Sequence, residues 1–456
     1  MNTNNQIIKL FLTLLRKFGI DKSIAYSSGA RIVQAIAGVV SILFVAQFLT
    51  KTEQGFYYTF GSIIAIQVFF ELGLTNIITQ YVAHEASHLQ WKDKVNLEGD
   101  TLHHSRLAHI LKFSVKWYAI VGIIFFFALL VAGYCFFISY SVKNEMDIWF
   151  WPWVLVSIGT VLKLFMAPLM SILMGLDQIS EVMKMQFYQQ LIIPMSTWIG
   201  LALGFHLYVL GIATLFSVIY VVIYVCSTKL YSILKNLWKV KVTARVNYKN
   251  EIFPYQWKIA LSWVSGYFIF QLFNPVLFAT EGAVVAGQMG MTLAALNGIM
   301  SFCQSWITTK VPLWSRLIAL KEYIDLDYIF NRTMKQVSVV CFSLISIFAI
   351  IIWGLKSLHI PLGYRFLNWF PLILLLIPLF LNQWVNGWAT YLRCHKKEPL
   401  LLSSVATGIL CCLSTILFGN LYGVIGMTAG YCIISISMCI WTYIIFKNKK
   451  ASWHHV

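Results

Sequence analysis

Residues 119–138 read AIVGIIFFFALLVAGYCFFI, a run of twenty residues that carries no charge. A helix rises about 1.5 Å per residue and the hydrocarbon core of a bilayer is roughly 30 Å thick, so about 20 apolar residues cross it once. Similar runs recur along the 456-residue chain, which is 59% hydrophobic and only 11% charged. They lack the alternation of membrane β-barrel strands. The sequence therefore predicts an all-α integral membrane protein.

Twelve transmembrane helices are predicted, at approximately 28–49, 56–80, 113–138, 150–174, 185–205, 207–227, 259–279, 284–307, 336–355, 368–391, 400–418 and 421–446. The longest hydrophilic segment between spans divides them into six and six. We therefore expect an N-terminal six-helix lobe (24–228), a basic cytoplasmic linker (229–258), a C-terminal six-helix lobe (259–446) and a cytoplasmic tail (447–456).

The basic residues predict the orientation. With both termini in the cytoplasm, 28 of the 34 Lys and Arg residues fall in cytoplasmic segments and 4 fall outside. This bias follows the positive-inside rule and places the protein in a bacterial inner membrane. The two lobes are then parallel repeats, related by an axis along the membrane normal. The net charge of +17 is spread over every cytoplasmic loop, which argues against a nucleic-acid partner.

The first 23 residues form a predicted amphipathic helix. Its apolar face contains six residues, namely Ile7, Leu10, Phe11, Leu14, Leu15 and Phe18, and the lysines and arginine lie toward the other face. We expect this helix to lie on the cytoplasmic leaflet as an anchor before the first crossing.

Glycine spacing supports the repeat. Gly204 and Gly211, between the fifth and sixth spans, have the same separation as Gly419 and Gly426 between the eleventh and twelfth. Gly55 near the start of the second span similarly corresponds to Gly287 near the start of the eighth.

Two charges fall near mid-membrane. Lys163 lies at the middle of the fourth span, too deep to reach the headgroups, and a cation there costs roughly 3 kcal/mol or more. Its side chain is expected to face protein or water, either to bind an anionic substrate or to hold helices together by an ion pair. Glu71 lies at similar depth in the second span. It is either the partner of Lys163 or a carboxylate that couples transport to protons.

Polar residues in the first and seventh spans are further candidates for the cavity. Arg31 and Gln34 lie one turn apart near the cytoplasmic end of the first span, where they could meet a phosphate or reach the headgroups. In the seventh span Gln271 and Asn274 adjoin Pro275, which removes a backbone hydrogen bond and bends the helix. We expect a hinge there that lines the cleft between the lobes.

Amides mark the tenth span. Asn382, Gln383 and Asn386 adjoin tryptophans 384 and 388, a combination suited to binding sugars. The alternative is that these amides form hydrogen bonds between helices. The same two interpretations apply to the eighth-span residues Gln288, Asn297 and Gln304.

One motif indicates a different class of protein. His84, Glu85 and His88 match the H-E-x-x-H pattern of zinc proteases. The motif falls where the second span leaves the membrane and no third ligand is evident, so we favour coincidence and predict no metal site. The sequence also has no Walker A loop for ATP.

The opening helices resemble those of polysaccharide flippases in the multidrug/oligosaccharidyl-lipid/polysaccharide exporter superfamily. The resemblance is carried by residues 44–49, then Glu53-Gln54-Gly55-Phe56-Tyr57, residues 62–64 and Glu71-Leu72-Gly73-Leu74, and by 421–426 near the end. The family often has Asp in place of Glu71 and Arg in place of Gln47.

The resemblance implies a Wzx-type flippase that moves undecaprenyl-diphosphate-linked oligosaccharide from the inner to the outer leaflet by alternating access. It would use no cofactor, could couple to protons or sodium ions, and could work with a polysaccharide polymerase and a chain-length regulator. Lys163 and Arg31 would contact the anion. The alternatives are a cation-coupled multidrug exporter of the same superfamily, or an intramembrane zinc protease built on His84, Glu85 and His88.

Overall fold

The computed structural model describes residues 22–454 except 143–144 and 396, and for several helical residues, including Arg31, it describes the backbone alone. Nearly all of this chain is helical. The α-helices are α1 (Lys22–Phe48), α2 (Lys51–Ile64), α3 (Gln67–Glu71), α4 (Leu74–Ala86), α5 (Thr101–Tyr140), α6 (Met146–Gly175), α7 (Ile179–Ala202), α8 (Tyr208–Ser227), α9 (Lys229–Lys239), α10 (Phe253–Phe270), α11 (Phe273–Glu281), α12 (Ala283–Ala319), α13 (Tyr323–Ser357), α14 (Trp369–Cys394) and α15 (Leu401–His454). The predicted anchor helix lies, but for its last two residues, outside the described residues.

Four short elements complete the described chain. The strands β1 (Leu89–Trp91) and β2 (Leu97–Gly99) pair antiparallel, with Gln90 opposite Glu98. A single π-helical turn, Tyr248–Ile252, precedes α10, and a 3-10 turn, Pro361–Arg365, precedes α14. We call the end of the bundle that holds Thr50, Gly282 and the 3-10 turn the outer end, following the predicted orientation.

The membrane class is confirmed, because eight helices among the described residues are long and apolar enough to cross a bilayer. The number becomes nine if the bent helix from Lys51 to Ala86 is one span. The long helix α15 has 54 residues and is interrupted at Gly423, where φ is 57°. The total of twelve crossings, the two lobes and the cytoplasmic termini stay predictions.

Two predicted spans are broken in the structure. The second, expected to be continuous over 56–80, bends by 41° between Glu71 and Leu74, where Leu72 and Gly73 have positive φ of 48° and 67°. The seventh, expected over 259–279, ends at Phe270 and restarts at Phe273. Pro275 lies in the first turn of α11, where its missing N–H is tolerated, and the break lies just before it.

The segment 229–258, predicted as a linker, contains its own helix and the start of the next. Helix α9 buries Leu230, Ile233 and Leu237 on one face, and α10 begins at Phe253. At the far end α15 continues to His454, through the predicted tail.

An aromatic cluster joins the two halves of the chain near the outer end. Phe56 of α2 packs on Phe278 of α11 with ring centroids 5.0 Å apart, and Phe137 of α5 contacts both rings. Phe60 and Trp153 extend the cluster, with centroids 5.1 Å apart. All five rings are almost completely buried. Large buried aromatic surfaces of this kind contribute strongly to packing, so they hold α2 against the second half.

Candidate functional site

A cavity, which we call the second-half cavity, lies inside the second half of the chain. It has a volume of about 420 Å³, and its walls come from α10, α11, α12, α14 and α15, between Ile269 and Thr442. Its apolar part includes Phe273, Leu296 and Leu379. Its polar part includes Asn297, Gln304, Asn382 and Asn386, with Ser403, Ser404, Thr407, Tyr431 and Ser435.

The amides of this cavity differ in how firmly they are held. Asn382 donates to the Tyr431 hydroxyl at 3.0 Å, which fixes its orientation. Asn386 has only a long contact of 4.0 Å to the Met300 sulfur, and Asn297 is exposed to the cavity. Asn386 and Asn297 therefore have hydrogen-bonding capacity left for a ligand.

A charged pair stands at the inner end of the cavity. Arg393 at the end of α14 lines the cavity, and its guanidinium binds both carboxylate oxygens of Glu398 at distances of 2.9 to 3.2 Å. Both side chains are about half exposed, at 54% and 47%. An anionic ligand that approached from this end would meet Arg393 first.

Three predicted residues lie outside the wall of the second-half cavity. Asn274 is 6% exposed and donates to the Ser62 hydroxyl at 3.1 Å, so it joins α11 to α2 and does not line the cavity. Gln383 is completely buried, and neither atom of its amide has a hydrogen-bond partner among the described residues. Gln271 ends α10 and is absent from the cavity wall. Helical rotation explains Gln383, because adjacent positions on a helix differ by about 100° and only Asn382 and Asn386 share a face.

The predicted charges of the first half lie elsewhere. Glu71 is the last residue of α3, directly before the bend, and accepts a hydrogen bond from Thr75 at 2.6 Å. The Lys163 side chain on α6 is exposed, and it interacts electrostatically with Glu71. No direct ion pair joins the two within the described part of the chain. Neither residue lines the second-half cavity.

Two further predicted residues lie in the first helix. Gln34 of α1 is exposed. The backbone of Arg31 is helical, and its side chain is outside the part that the structure describes. Gln288 of α12, the remaining candidate, donates to the Tyr364 carbonyl at 3.0 Å and lies near the outer end.

Close backbone contact closes the outer end between the two halves. A Cβ atom on Gly55 would lie 2.0 Å from the Ala283 carbonyl oxygen, and one on Gly287 would lie 2.8 Å from the Gly55 nitrogen. Gly290 meets the Tyr58 side chain in the same way, at 2.3 Å. Helices α2 and α12 can therefore pack this closely only because these positions have no side chain.

Polar contacts reinforce this closure, which we call the outer clasp. Gln54 donates to the Gly287 carbonyl at 2.8 Å, and Arg365 donates to the Gln54 side-chain oxygen at 3.1 Å and to the Leu49 carbonyl at 2.7 Å. Burial lowers the pKa of the Arg365 guanidinium, and Glu53 opposes that shift. The clasp joins α2, α12 and the 3-10 turn, which belong to different halves of the chain.

The H-E-x-x-H motif takes part in a charge network at the inner end. The Glu85 carboxylate is 2% exposed and accepts from Arg106 at 2.9 Å and from His103 at 2.7 Å. Arg106 also donates to Glu251, at 2.6 Å, just before α10. Burial would raise the pKa of Glu251, but hydrogen bonds from the Asn247 backbone and from Arg106 lower it overall. The motif glutamate therefore binds its neighbours in α5, and no cluster of metal-ligating side chains is found in the described ranges.

We expect Glu85→Gln to lower thermal stability without a selective loss of function. The amide nitrogen would face the donors Arg106 and His103, and an unsatisfied buried donor costs about 1–3 kcal/mol. His84, whose side chain is 73% exposed, serves as the control, and His84→Ala should change neither property. Thermal unfolding in detergent and the bound zinc content measure the outcome. A zinc-containing protein in which Glu85→Gln abolished activity at unchanged stability would support the protease alternative instead.

The sequence did not indicate the outer clasp. Arg365 and Gln54 are ordinary loop and helix-end residues in the sequence, and they lie 311 positions apart. The equivalent glycines 55 and 287 were the available signal, although equal positions in two repeats do not by themselves predict contact.

The fold resembles that of solved transporters of the MOP superfamily, and the chain is a multi-pass membrane protein. No family model matches the sequence, and no curated protein matches it significantly. The likeness is therefore one of structure, and it extends over nearly the whole chain.

Three solved structures illustrate the likeness. The first is an inward-facing conformation of a multidrug resistance MATE family transporter, with a TM-score of 0.60, 13% identity and coverage of 92% of this chain and 98% of that one. The lipid II flippase MurJ in an inward closed conformation gives a TM-score of 0.54 at 12% identity, covering 92% and 87%. A MOP superfamily transporter from Pyrococcus furiosus gives 0.55 at 14% identity, covering 95% and 97%. Identities this low indicate a shared fold and leave the substrate open.

Proposed function

We propose that this chain is a Wzx-type flippase of the bacterial inner membrane, which moves undecaprenyl-diphosphate-linked oligosaccharide from the inner to the outer leaflet. The observation that carries the proposal is the second-half cavity, where amides and hydroxyls line one part of the wall and aliphatic and aromatic side chains the other. Pockets with a few convergent polar groups among apolar walls are the usual form of a small-ligand site. The polar groups here are suited to sugar hydroxyls, and the polyprenyl tail would stay in the lipid.

Alternating access is part of the proposal. The outer clasp closes one end between the halves, and Arg393 stands half exposed at the other end of the cavity. This arrangement suits a conformation that loads from the cytoplasmic side. We propose twelve crossings, six in each parallel lobe, and cytoplasmic termini. Two of the crossings would come from α15, because 54 helical residues at about 1.5 Å each exceed twice the thickness of the hydrocarbon core.

Lys163 and Glu71 would perform a separate task in the first half. Broken membrane helices often provide ion sites, since unwound backbone carbonyls are free to bind cations. Glu71 lies at such a break and near the exposed Lys163. We propose that Lys163 contacts the diphosphate and that Glu71 binds the coupling proton or sodium ion. Arg31, Gln34, and a polymerase or chain-length regulator as partners belong to the same proposal.

A multidrug exporter of the same superfamily is the second candidate. The cavity wall has large apolar areas that include Phe270, Phe273 and Met300, and these could hold an apolar drug. Three of the similar solved structures are described as MATE multidrug transporters, one of them in complex with a ligand.

Replacing Asn297 and Asn386 together by leucine distinguishes the two candidates. A flippase should lose roughly tenfold or more of its transport rate, because each lost hydrogen bond to a sugar costs about 1 kcal/mol. A drug exporter should keep or gain affinity for apolar compounds, since the wall becomes more apolar. The measurements are complementation of a flippase-null strain and drug susceptibility of the same cells.

The control is Asn420→Leu, because Asn420 is exposed outside the cavity and bonds only within its own helix, to Ile416. Full complementation by the Asn297/Asn386 variant would contradict a sugar site in this cavity. Increased drug susceptibility of a deletion strain, with normal surface polysaccharide, would favour the exporter.

A further inference from the structure

A second concavity, on the lipid side of the first half, is almost entirely apolar. It lies between α5, α6, α8 and α9 at the inner end and has a volume of about 540 Å³. Its wall includes Val222 of α8 and Tyr231, Lys235, Trp238 and Lys239 of α9. We call it the α9 groove. It is separate from the second-half cavity and from the Glu71 bend.

Helix α9 forms the inner edge of the groove as an amphipathic helix. Leu230, Ile233 and Leu237 are buried against the bundle, whereas Tyr231 and Trp238 are 46% and 43% exposed. Exposed Trp and Tyr beside buried aliphatic residues are typical of helices at the boundary between headgroups and acyl chains. The groove therefore opens where a lipid changes from its polar head to its apolar chain.

Lysine side chains line this opening. Lys235 and Lys239, one turn apart on α9, line the groove and are exposed. Lys112 of α5 is held nearby, where it donates to the Val240 carbonyl at 2.9 Å and lies 6.0 Å from the Trp238 ring centre. Within the described residues neither groove lysine forms an ion pair, and neither the groove wall nor α9 contains an acidic residue.

The groove is continuous with lipid. Val222 in its wall is 39% exposed, and its neighbour Ile223 on the outer face of α8 is 61% exposed. An acyl chain from the surrounding leaflet could enter sideways without crossing any polar surface. Basic pockets at the cytoplasmic side of membrane proteins commonly bind anionic lipid headgroups.

We propose that the α9 groove binds an anionic phospholipid of the cytoplasmic leaflet, with one acyl chain in the groove and the phosphate on Lys235 and Lys239. The apolar wall accounts for the chain, and the two unpaired lysines account for the charge of the head. This site does not depend on which substrate the protein transports. A bound lipid would connect α9 to α5, α6 and α8 and so stabilise the folded protein by mass action.

Native mass spectrometry of the full-length protein in detergent tests the charge requirement. Phosphatidylglycerol and phosphatidylcholine with identical acyl chains are the two probes, and we expect phosphatidylglycerol to bind more tightly. Lys235→Gln with Lys239→Gln should weaken phosphatidylglycerol binding roughly tenfold and leave phosphatidylcholine unchanged. The matched control is Lys447→Gln with Lys449→Gln, two exposed lysines of α15 outside the groove. Equal losses in both double variants would contradict the site.

A change of volume tests the groove itself. Val222→Trp fills the wall without altering charge and should abolish the tight adduct and the rise in thermal stability that phosphatidylglycerol produces. Ile223→Trp places the same side chain one position further on, outside the groove wall. This variant should keep both the tight adduct and the rise in thermal stability. Lipid extracted from the purified protein identifies the natural occupant. A polyprenyl phosphate in place of phospholipid, or retention of the adduct in Val222→Trp, would overturn the proposal.

Discussion

Gly55→Leu is expected to abolish transport while the protein still folds and inserts. Even the Cβ atom would lie 2.0 Å from the Ala283 carbonyl oxygen, and both partners are helix backbone that cannot rotate away. Overpacking of this kind costs typically about 1–3 kcal/mol and occasionally more. Because a cost of about 3 kcal/mol changes an equilibrium constant more than 100-fold, the outer-closed state would become a minor population. Leucine is a good helix former, so α2 itself should be intact.

The measurements are complementation of a flippase-null strain and thiol labelling from outside the cell. The labelled residue is a cysteine in place of Ser62, in a variant without the nine native cysteines. Ser62 of α2 is only 4% exposed, because it packs against Asn274 of α11. We expect a membrane-impermeant maleimide to label this cysteine in the Gly55→Leu variant and not in the parent.

Gly61→Leu is the matched control on the same helix. A Cβ atom at Gly61 meets nothing within 4 Å, and the residue is exposed. This variant should complement normally and leave the cysteine at 62 protected. If Gly55→Leu transported normally with the cysteine still protected, the contact between α2 and α12 would not be part of the transport cycle.

The sequence predicted which segments are membrane helices better than it predicted where those helices bend or end. Apolar runs such as 119–138 identify membrane helices because length and polarity alone decide whether a segment crosses a bilayer. The bend at Leu72 and Gly73 was missed, since a left-handed backbone at leucine has no signal in hydropathy. Helix α9 was assigned to a linker, because seven basic residues between 228 and 258 hide its short apolar face.

For the site, the sequence predicted which residue types take part but not how they are arranged in space. Asn382, Gln383 and Asn386 were all predicted from their residue type, and the cavity wall contains the first and the third. The helical period separates them, because positions 382 and 386 share a face. The same argument excludes Gln383, which is buried one position away. Nothing in the sequence could reveal that the cavity lies within the second half, because the packing partners of a membrane helix are determined by contacts distant in the chain.

A similar contact occurs at the outer end of each half of the chain. Glu53 near the start of α2 contacts His206 in the outer turn before α8, with the carboxylate 2.9 Å from the ring nitrogen. Glu281, just before α12, likewise accepts from the backbone of Val424 in the outer break of α15. In each half, a glutamate near the outer clasp therefore contacts an outer turn of the same half. Gly204 and Gly423 both have positive φ in these turns, whereas the glycine that corresponds to Gly204 in the sequence is Gly419.

Lys163→Met should abolish transport while leaving the protein at least as stable as the parent. Methionine keeps an unbranched apolar stem and removes the charge, and an ammonium group near mid-membrane costs roughly 3 kcal/mol or more. If Lys163 contacts the diphosphate, its loss removes about 2–5 kcal/mol of interaction with a partly buried anion. A lysine that only held helices together would instead destabilise the protein when removed, so stability and transport together distinguish the two roles.

Lys163→Arg and Lys116→Met complete the test. Arginine preserves the charge and should restore part of the transport, although its planar group fits differently from an ammonium. Lys116 is an exposed lysine of α5 near the inner end, and Lys116→Met should transport normally. A cysteine at position 163 should react with aqueous thiol reagents, because the proposed diphosphate site must be open to water. Full transport by Lys163→Met, or a cysteine at 163 that no aqueous reagent reaches from either side, would remove this residue from the mechanism and leave the second-half cavity as the sole candidate for substrate binding.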